Sequence, residues 1–522
     1  MENISATACR PYIDVLLDRL KQRSNSAVLR YLDDDVTGNA LRRSIFRHAR
    51  ALTALGIGRG SLVALLSPNC PDGLAIRYAA NLLGAATIFL PKLANANRMS
   101  TLLTRLQPTL LVVFRETVRF IPDAFDGRLA FVGIGPASSR IDKLAQAQSE
   151  LPLRGQLRPD DLAVVVSSGG TTGVPKCSRR SFSTYSTMVG TADDEKRRQL
   201  INGPLAYLSQ VLVDATLIGG GTVVLKPHYD PAETLATIQS ERITDMLLVE
   251  PQLFETMNHP DVGRCNLSSL RSIVHVGGSA PAVLRQRAAL RLGSVLTHAY
   301  GASEMGLVSV LPPSSYEDRD RLTCAGRIRA GVEVRVRRAD RTIARAGECG
   351  NIEVRSATVA DGYYHQTLEE AQKFRHGWCL TGDTGFIDEA GYLYILGRAA
   401  DVAQIDGVAI GPTQIEDVLC RVPDLRYAVV LAADNDAAKY GWNALVEPWV
   451  AGPDVALCMR KLKIAFGARV ANRIRIVVTD RVPLTEQGKA DRTAIEAIVK
   501  DDLRSRLDTL PSIFRAPVLA IH

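Results

Sequence analysis

The stretch Ser168-Gly169-Gly170-Thr171-Thr172-Gly173-Val174-Pro175-Lys176 packs three glycines, three hydroxyls and one ammonium group into nine residues. Backbone N–H groups, O–H donors and a positive charge on one loop are what a polyphosphate requires. The residues just before it, 163–166, are all apolar, so the pattern predicts a loop at the end of a buried strand. It is not a Walker A loop. That motif closes on Gly-Lys followed by Ser or Thr, and here Val174 and Pro175 separate Gly173 from Lys176. Taken alone, the same composition also suits a Gly/Ser/Thr surface turn.

The elements that must position this loop are legible as alternating apolar runs. Residues 62–66 read as a strand, Pro68-Asn69-Cys70-Pro71 as a turn, 73–83 as a helix and 86–90 as a second strand. Further strand-like runs lie at 110–114, 163–166, 222–225, 246–249 and 272–276, most of them separated by helix-length segments. Strands alternating with helices predict a layered α/β fold with largely parallel sheets over the first three hundred residues. After Pro312-Pro313-Ser314-Ser315 the strands become shorter and alternating, as at 352–354 and 392–396, which predicts a β-rich subdomain over about 320–398. Beyond Gly397-Arg398-Ala399-Ala400-Asp401, a helix opened by Pro412, strands at 428–431 and 474–478 and a helix near 492–499 predict a small α+β domain. The expected division is therefore 1–398 for a large N-terminal domain and 399–522 for a small mobile one.

Composition excludes several classes. Of the 522 residues, 46% are apolar and 23% charged, which is globular usage and not that of a disordered or repetitive chain. Apolar runs fall far short of the roughly 18 residues a membrane span requires. Met1–Thr7 has neither a basic nor an apolar leader region, so cytoplasm is the expected location. Nine dispersed cysteines without a C-x-x-C pair read as reduced packing residues. The net charge of +8 is spread along the chain. Its densest basic stretch, Arg335 to Arg345, overlaps a strand alternation and reads as a solvated strand face, so nucleic acid is not an expected partner.

Five segments in order resemble the adenylate-forming superfamily of acyl- and aryl-CoA synthetases, luciferases and nonribosomal peptide synthetase adenylation domains. Its phosphate loop, Ser/Thr-x-Gly-Thr/Ser-Thr-Gly-x-Pro-Lys, matches Ser168 to Lys176. The resemblance covers almost the whole chain. It implies that Ser168, Gly169, Gly170, Thr172 and Gly173 hold the phosphates of ATP, with Thr171 and Lys176 acting on the reacting ones. Val276-Gly277-Gly278-Ser279-Ala280-Pro281 resembles the turn that approaches the adenine and the acyl group. Tyr300-Gly301-Ala302-Ser303-Glu304 is similar to Tyr-Gly-x-Thr-Glu, which implies stacking by Tyr300, nucleotide contacts along Gly301, Ala302 and Ser303, and Mg²⁺ bound by Glu304. Asp383, in Thr381-Gly382-Asp383, and Arg398 would hold the ribose, and Gly407 would border the passage for the pantetheine of CoA. In Pro483-Leu484-Thr485-Glu486-Gln487-Gly488-Lys489, the implied catalytic group is Lys489. A long cation on a glycine-containing loop can reach a transferring phosphoryl group.

Two departures from the family pattern stand out. The hinge position usually held by Lys or Asp is Ala400, and the usual Pro-Leu-x-His reads Pro204-Leu205-Ala206-Tyr207. With Tyr207, the acid pocket is expected to include Val213, His275, Gly277 and Met305; the apolar residues after Tyr207 suit a core helix equally well. Asp214 could face solvent, so no acidic residue is evident for an amino acid's ammonium group. The implied reaction is activation of an aryl or fatty acid to an acyl adenylate and transfer to CoA, with a carrier protein as the alternative acceptor. A weakly catalytic nucleotide-binding homologue is the alternative of another class, and a homodimer is compatible with the sequence.

Overall fold

The computed structural model describes residues 10–93, 95–167, 175–277, 281–318, 321–433, 441–449, 452–485 and 490–508. Apolar runs flanked by turn residues form strands buried along their whole length, as at Leu62–Leu66 and Leu110–Phe114. The intervening helix is Pro71–Leu82; Pro71 opens it, where a missing N–H breaks no helical bond. One described sheet has seven strands, with Leu162–Ser167, Ala86–Phe89, Leu62–Leu66, Leu110–Phe114 and Leu129–Val132 running parallel. Cys177–Ser181 returns antiparallel beside Leu162–Ser167, with Ser167 opposite Cys177. The two ends of the 168–174 segment are therefore held side by side.

The second sheet joins both expected textures in one hydrogen-bonded surface. Its parallel half contains Ala27–Tyr31, Thr222–Leu225, Arg198–Ile201, Asp245–Val249, Ser272–Val276 and Leu296–Ala302. Gly306–Leu311 then pairs antiparallel with Leu296–Ala302, and the sheet continues through Gly326–Ile328, Tyr392–Arg398, Trp378–Ile387 and Gly350–Ser356 to Val332–Arg337. The shorter alternating strands extend the parallel layer rather than forming a separate sheet, because a hairpin can add a strand to an edge without a crossover. In the basic stretch within it Arg335 and Arg337 share Glu353; beside it Arg355 pairs with Glu333, and Arg335 and Arg355 lie 3.9 and 4.6 Å from the Trp378 ring centroid.

Asp214 does not face solvent. It lies fully buried on the helix Gln210–Ile218 and receives both terminal nitrogens of Arg77 at 2.8 Å and the hydroxyls of Tyr78 and Tyr185 at 2.6 Å. The Arg77 guanidinium also lies 5.3 to 5.6 Å from the ring centroids of Tyr12, Tyr78 and Tyr185. Such a pair offsets the large cost of removing two charges from water only because every lone pair of the carboxylate is used.

A third described sheet, Leu425–Ala432, Trp442–Pro448 and Ile474–Val478, packs with the helix Pro412–Leu419 against the parallel half. Leu253, Phe254, Ala282 and Leu284 share one apolar cluster with Ile415, Leu419, Val430 and Trp442. Polar contacts fix the register: Asp417 accepts from the Val283 amide at 3.0 Å, Arg287 donates to the Cys420 carbonyl at 3.0 Å, and Arg481 pairs with Glu255 at 3.1 Å. Among the described residues no helix is long and apolar enough to cross a membrane.

Asp214→Asn should strand the Arg77 charge and destabilise the fold by about 3–5 kcal/mol, read as a lower urea midpoint at unchanged slope. Asp417→Ala should loosen the contact between the third sheet and the helix Ala282–Leu292. Limited trypsin digestion at Arg398, whose side chain is 60% exposed, should then speed up several-fold.

Candidate active site

The hairpin of Leu296–Ala302 and Gly306–Leu311 brings Tyr300, Ser303 and Glu304 to the edge of a cavity of about 680 Å³. A Cβ at Gly301 would stand 2.4 Å from the Gly306 carbonyl oxygen, so only glycine lets the two strands approach this closely. The Ser303 carbonyl accepts from Arg180 Nη2 at 2.6 Å and from Ser178 Oγ at 3.3 Å. Arg180, buried on the strand Cys177–Ser181, thereby ties the hairpin to the seven-stranded sheet.

Two of the carboxylates on the cavity wall, Asp383 and Glu304, each have a defined set of donors. Asp383 Oδ2 accepts from the Tyr300 hydroxyl at 2.5 Å, and Asp383 Oδ1 lies 3.2 Å from Arg398 Nη1. Asp383 and Arg398 are direct cross-strand partners, and a left-handed Gly382 (φ +79°) turns the backbone immediately before Asp383. Burial and the Asp383 charge push the Tyr300 phenol well above its usual pKa, so it stays a donor. Glu304, 9% exposed, accepts from Tyr363 Oη and Ser303 Oγ, both at 2.9 Å. Burial raises its pKa, but the charge of Lys373 and these two hydrogen bonds outweigh that and leave it below the usual carboxylate range. Lys176 Nζ lies 5.7 Å from the Tyr363 ring centroid.

The cavity thus gathers Lys176, Gly277, Tyr300, Gly301, Ala302, Ser303, Glu304, Met305, Asp383 and Arg398. Ser168, Gly169, Gly170, Thr171, Thr172, Gly173, Gly278, Ser279 and Lys489 lie outside the described residues, as does the side chain of Tyr207. Ala490, which follows Lys489, lines the same cavity. The ends of that segment are closed by a bridge between Leu484 and Ala490 and by the Asp491 amide donating to the Pro483 carbonyl at 2.9 Å. Arg492 also lines the cavity and pairs with Asp401, whose carbonyl accepts from Trp442 Nε1 at 2.8 Å.

Other expected residues lie elsewhere. Val213 is fully buried in the apolar cluster that also contains Leu16 and Leu217, a core position and not a cavity wall. His275 is fully buried with its Nδ1 2.9 Å from that of His298, and His298 forms the cavity wall there. Burial and the Arg285 charge hold both rings neutral, with His275 pushed down to about 3. Gly407 sits at the tip of a two-residue hairpin turn with Asp406, where both φ angles are positive, and it does not line the cavity. Sequence reasoning missed Arg180, Tyr363 and Lys373, none of which belongs to a local pattern that periodicity could flag, and it quoted Thr381 only as part of the segment around Asp383.

A single carboxylate marks the expected metal position, and the described residues contain no group of three His, Cys, Asp or Glu able to hold an ion. That fits Mg²⁺, which takes one or two protein carboxylates and completes its shell with phosphate oxygens and water, and would not fit a closed structural metal.

Comparison with known proteins agrees with this arrangement. The chain is 28% identical to a medium/long-chain fatty-acid–CoA ligase of Mycobacterium tuberculosis, over 92% of this chain and 89% of that one. It is 29% identical to an indoleacetate–CoA ligase of Aromatoleum aromaticum, over 91% and 94% respectively. An amide bond synthetase of Marinactinospora thermotolerans superposes with a TM-score of 0.84 at 27% identity, covering 93% of this chain and 99% of that one. The family model described as AMP-binding enzyme matches residues 17–364, more than half of the chain, and the protein belongs to that family.

Proposed function

We propose that the protein activates an apolar carboxylic acid, fatty or aromatic, with ATP and transfers the acyl group to the thiol of CoA. The observation that carries this reading is one cavity whose wall holds Lys176, Glu304, Asp383 and Arg398 and is completed by Ala490, next to Lys489. A carboxylate resists attack by a thiol because its charge repels nucleophiles and oxide is a poor leaving group. Attachment to AMP removes both obstacles.

Asp383 and Arg398 orient the ribose, and the 168–176 loop directs the phosphates. One oxygen of the acid attacks the α-phosphorus, the bond from that phosphorus to the bridging oxygen breaks, and pyrophosphate leaves along the loop. Mg²⁺ at Glu304 supplies charge neutralisation to the phosphates when bound. Lys489 donates to the oxygens on which charge develops. The thiolate of CoA then attacks the acyl carbon and AMP departs. Residues 1–398 bind the acid and the nucleotide, and residues 399–522 deliver Lys489 and, after rotation, open the way for the thiol. Ala400 lines the cavity, and its methyl group offers no hydrogen bond across the pivot. We place the reaction in the cytoplasm, where ATP and CoA are supplied.

The acid is apolar in this reading for two reasons. The similar ligases act on fatty acids and indoleacetate, and Asp214, the one acidic residue on the helix after Tyr207, is committed to Arg77 and cannot hold an ammonium group. The similarity to an amide bond synthetase favours one alternative for the second step, in which an amine takes the acyl group in place of CoA.

Lys489→Ala should lower acid-dependent pyrophosphate exchange by about 10²–10³-fold, the loss typical of removing one transition-state donor. Thioester formation from a preformed acyl adenylate should fall by less than about threefold, since that step has no need of the lysine. Exchange across fatty, benzoic, cinnamic and amino acids should be strong for the apolar acids and absent for amino acids. Product analysis with CoA, a carrier protein or an amine then identifies the acceptor. Full exchange activity in the alanine variant would overturn the assignment of Lys489.

A further inference from the structure

Lys373 ends the helix Thr367–Lys373, a place from which a long cation ordinarily extends into water. Here it turns inward. Its Nζ donates to the Thr381 carbonyl at 2.9 Å and lines the cavity. The same carbonyl accepts from Arg398 Nη1 at 3.2 Å, so two full positive charges stand within about 6 Å of each other. Like charges converging on one neutral acceptor repel unless an anion lies between or beside them. Asp383 lies beside Arg398, and the charge of Glu304 acts on Lys373, so each cation has one carboxylate near it. An ammonium has three donors, and one neutral carbonyl engages only one of them.

We infer that Lys373 contacts the phosphate chain of the bound nucleotide, bridging the ribose end of the cavity at Asp383 and the loop end at Lys176. The inference rests on the nucleotide reading above and extends it to a residue that no motif marks. Anchored through Thr381, Lys373 lines the same cavity as Asp383 and Lys176, where a triphosphate extending from the ribose partners towards Lys176 comes within its reach. The role is recognition of phosphate, not of the base or sugar.

The test is direct binding to the full-length protein without acid, so that no turnover occurs. Affinities for adenosine and for ATP with Mg²⁺ are measured for the wild type and for Lys373→Met, Lys373→Gln and Lys373→Arg. Lys373→Met should weaken ATP binding about tenfold and leave adenosine within about twofold. Lys373→Gln keeps a donor for the Thr381 carbonyl but no charge, so it should match Lys373→Met and serves in its place if that variant does not fold. Lys373→Arg should hold ATP within about threefold of the wild type. Unchanged ATP affinity in the neutral variants, or adenosine weakened as much as ATP, would overturn the inference. Failure of the wild type itself to bind ATP would instead count against the proposed function.

Discussion

The hairpin between Leu296–Ala302 and Gly306–Leu311 is the point at which a parallel sheet becomes antiparallel, and the site depends on that reversal. Up to Leu296–Ala302 the neighbouring strands are joined by crossovers, and their carboxyl ends all open on one side. The reversal after Ala302 places a turn, rather than a crossover helix, at that open edge. Ser303 and Glu304 occupy this turn and Tyr300 the strand leading into it, while Asp383 and Arg398 come from two antiparallel strands further along the same sheet. A residue with a Cβ at position 301 would push the strands apart and with them the carboxylates they align.

Charge is the second organising quantity. Arg77, Arg180 and Asp214 are nearly or fully buried, yet each has partners that compensate the loss of water: Arg77 and Asp214 bond each other, and Arg180 donates to the carbonyls of Ser303 and Thr358. These groups brace the frame and have no opening to the cavity in which to act. Those that do face it are arranged differently. Glu304 is kept ionised by neighbours that replace its solvent, and Tyr300 is kept protonated so that it donates to Asp383. The site thus presents fixed donors and acceptors before any ligand arrives, which is the condition under which electrostatic stabilisation costs no reorganisation during reaction.

The third sheet contributes differently from the other two. Its apolar face is continuous with the core beneath Ser272–Val276, so the segment carrying Ala490 and Arg492 rests on the same body that holds the carboxylates. The polar contacts at its margin, Asp417 with Val283 and Arg481 with Glu255, are few and partly exposed. Contacts of this kind set register, while the shared apolar cluster contributes most of the burial.

The alternation of apolar runs with helix-length segments was enough to place the strands at Leu62–Leu66, Leu110–Phe114, Thr222–Leu225 and Ser272–Val276, because period and burial are local properties of the chain. The order of the glycine-rich loop, the Tyr-Gly-x-Ser-Glu segment, the Thr-Gly-Asp segment and the Gly-Lys segment likewise identified the family and several residues that line the cavity. Periodicity could not tell that Asp214 faces Arg77 and not solvent, that Val213 belongs to the core, or that His275 lies behind the wall formed by His298. Nor could it find Arg180 and Tyr363, whose partners Ser303 and Glu304 lie far away in the chain, or Lys373, which turns inward from the end of a helix. A linear pattern records which face of an element is apolar. Which faces meet, and which charges are thereby brought within reach of each other, was decided only when the two large sheets and the third sheet closed around one cavity.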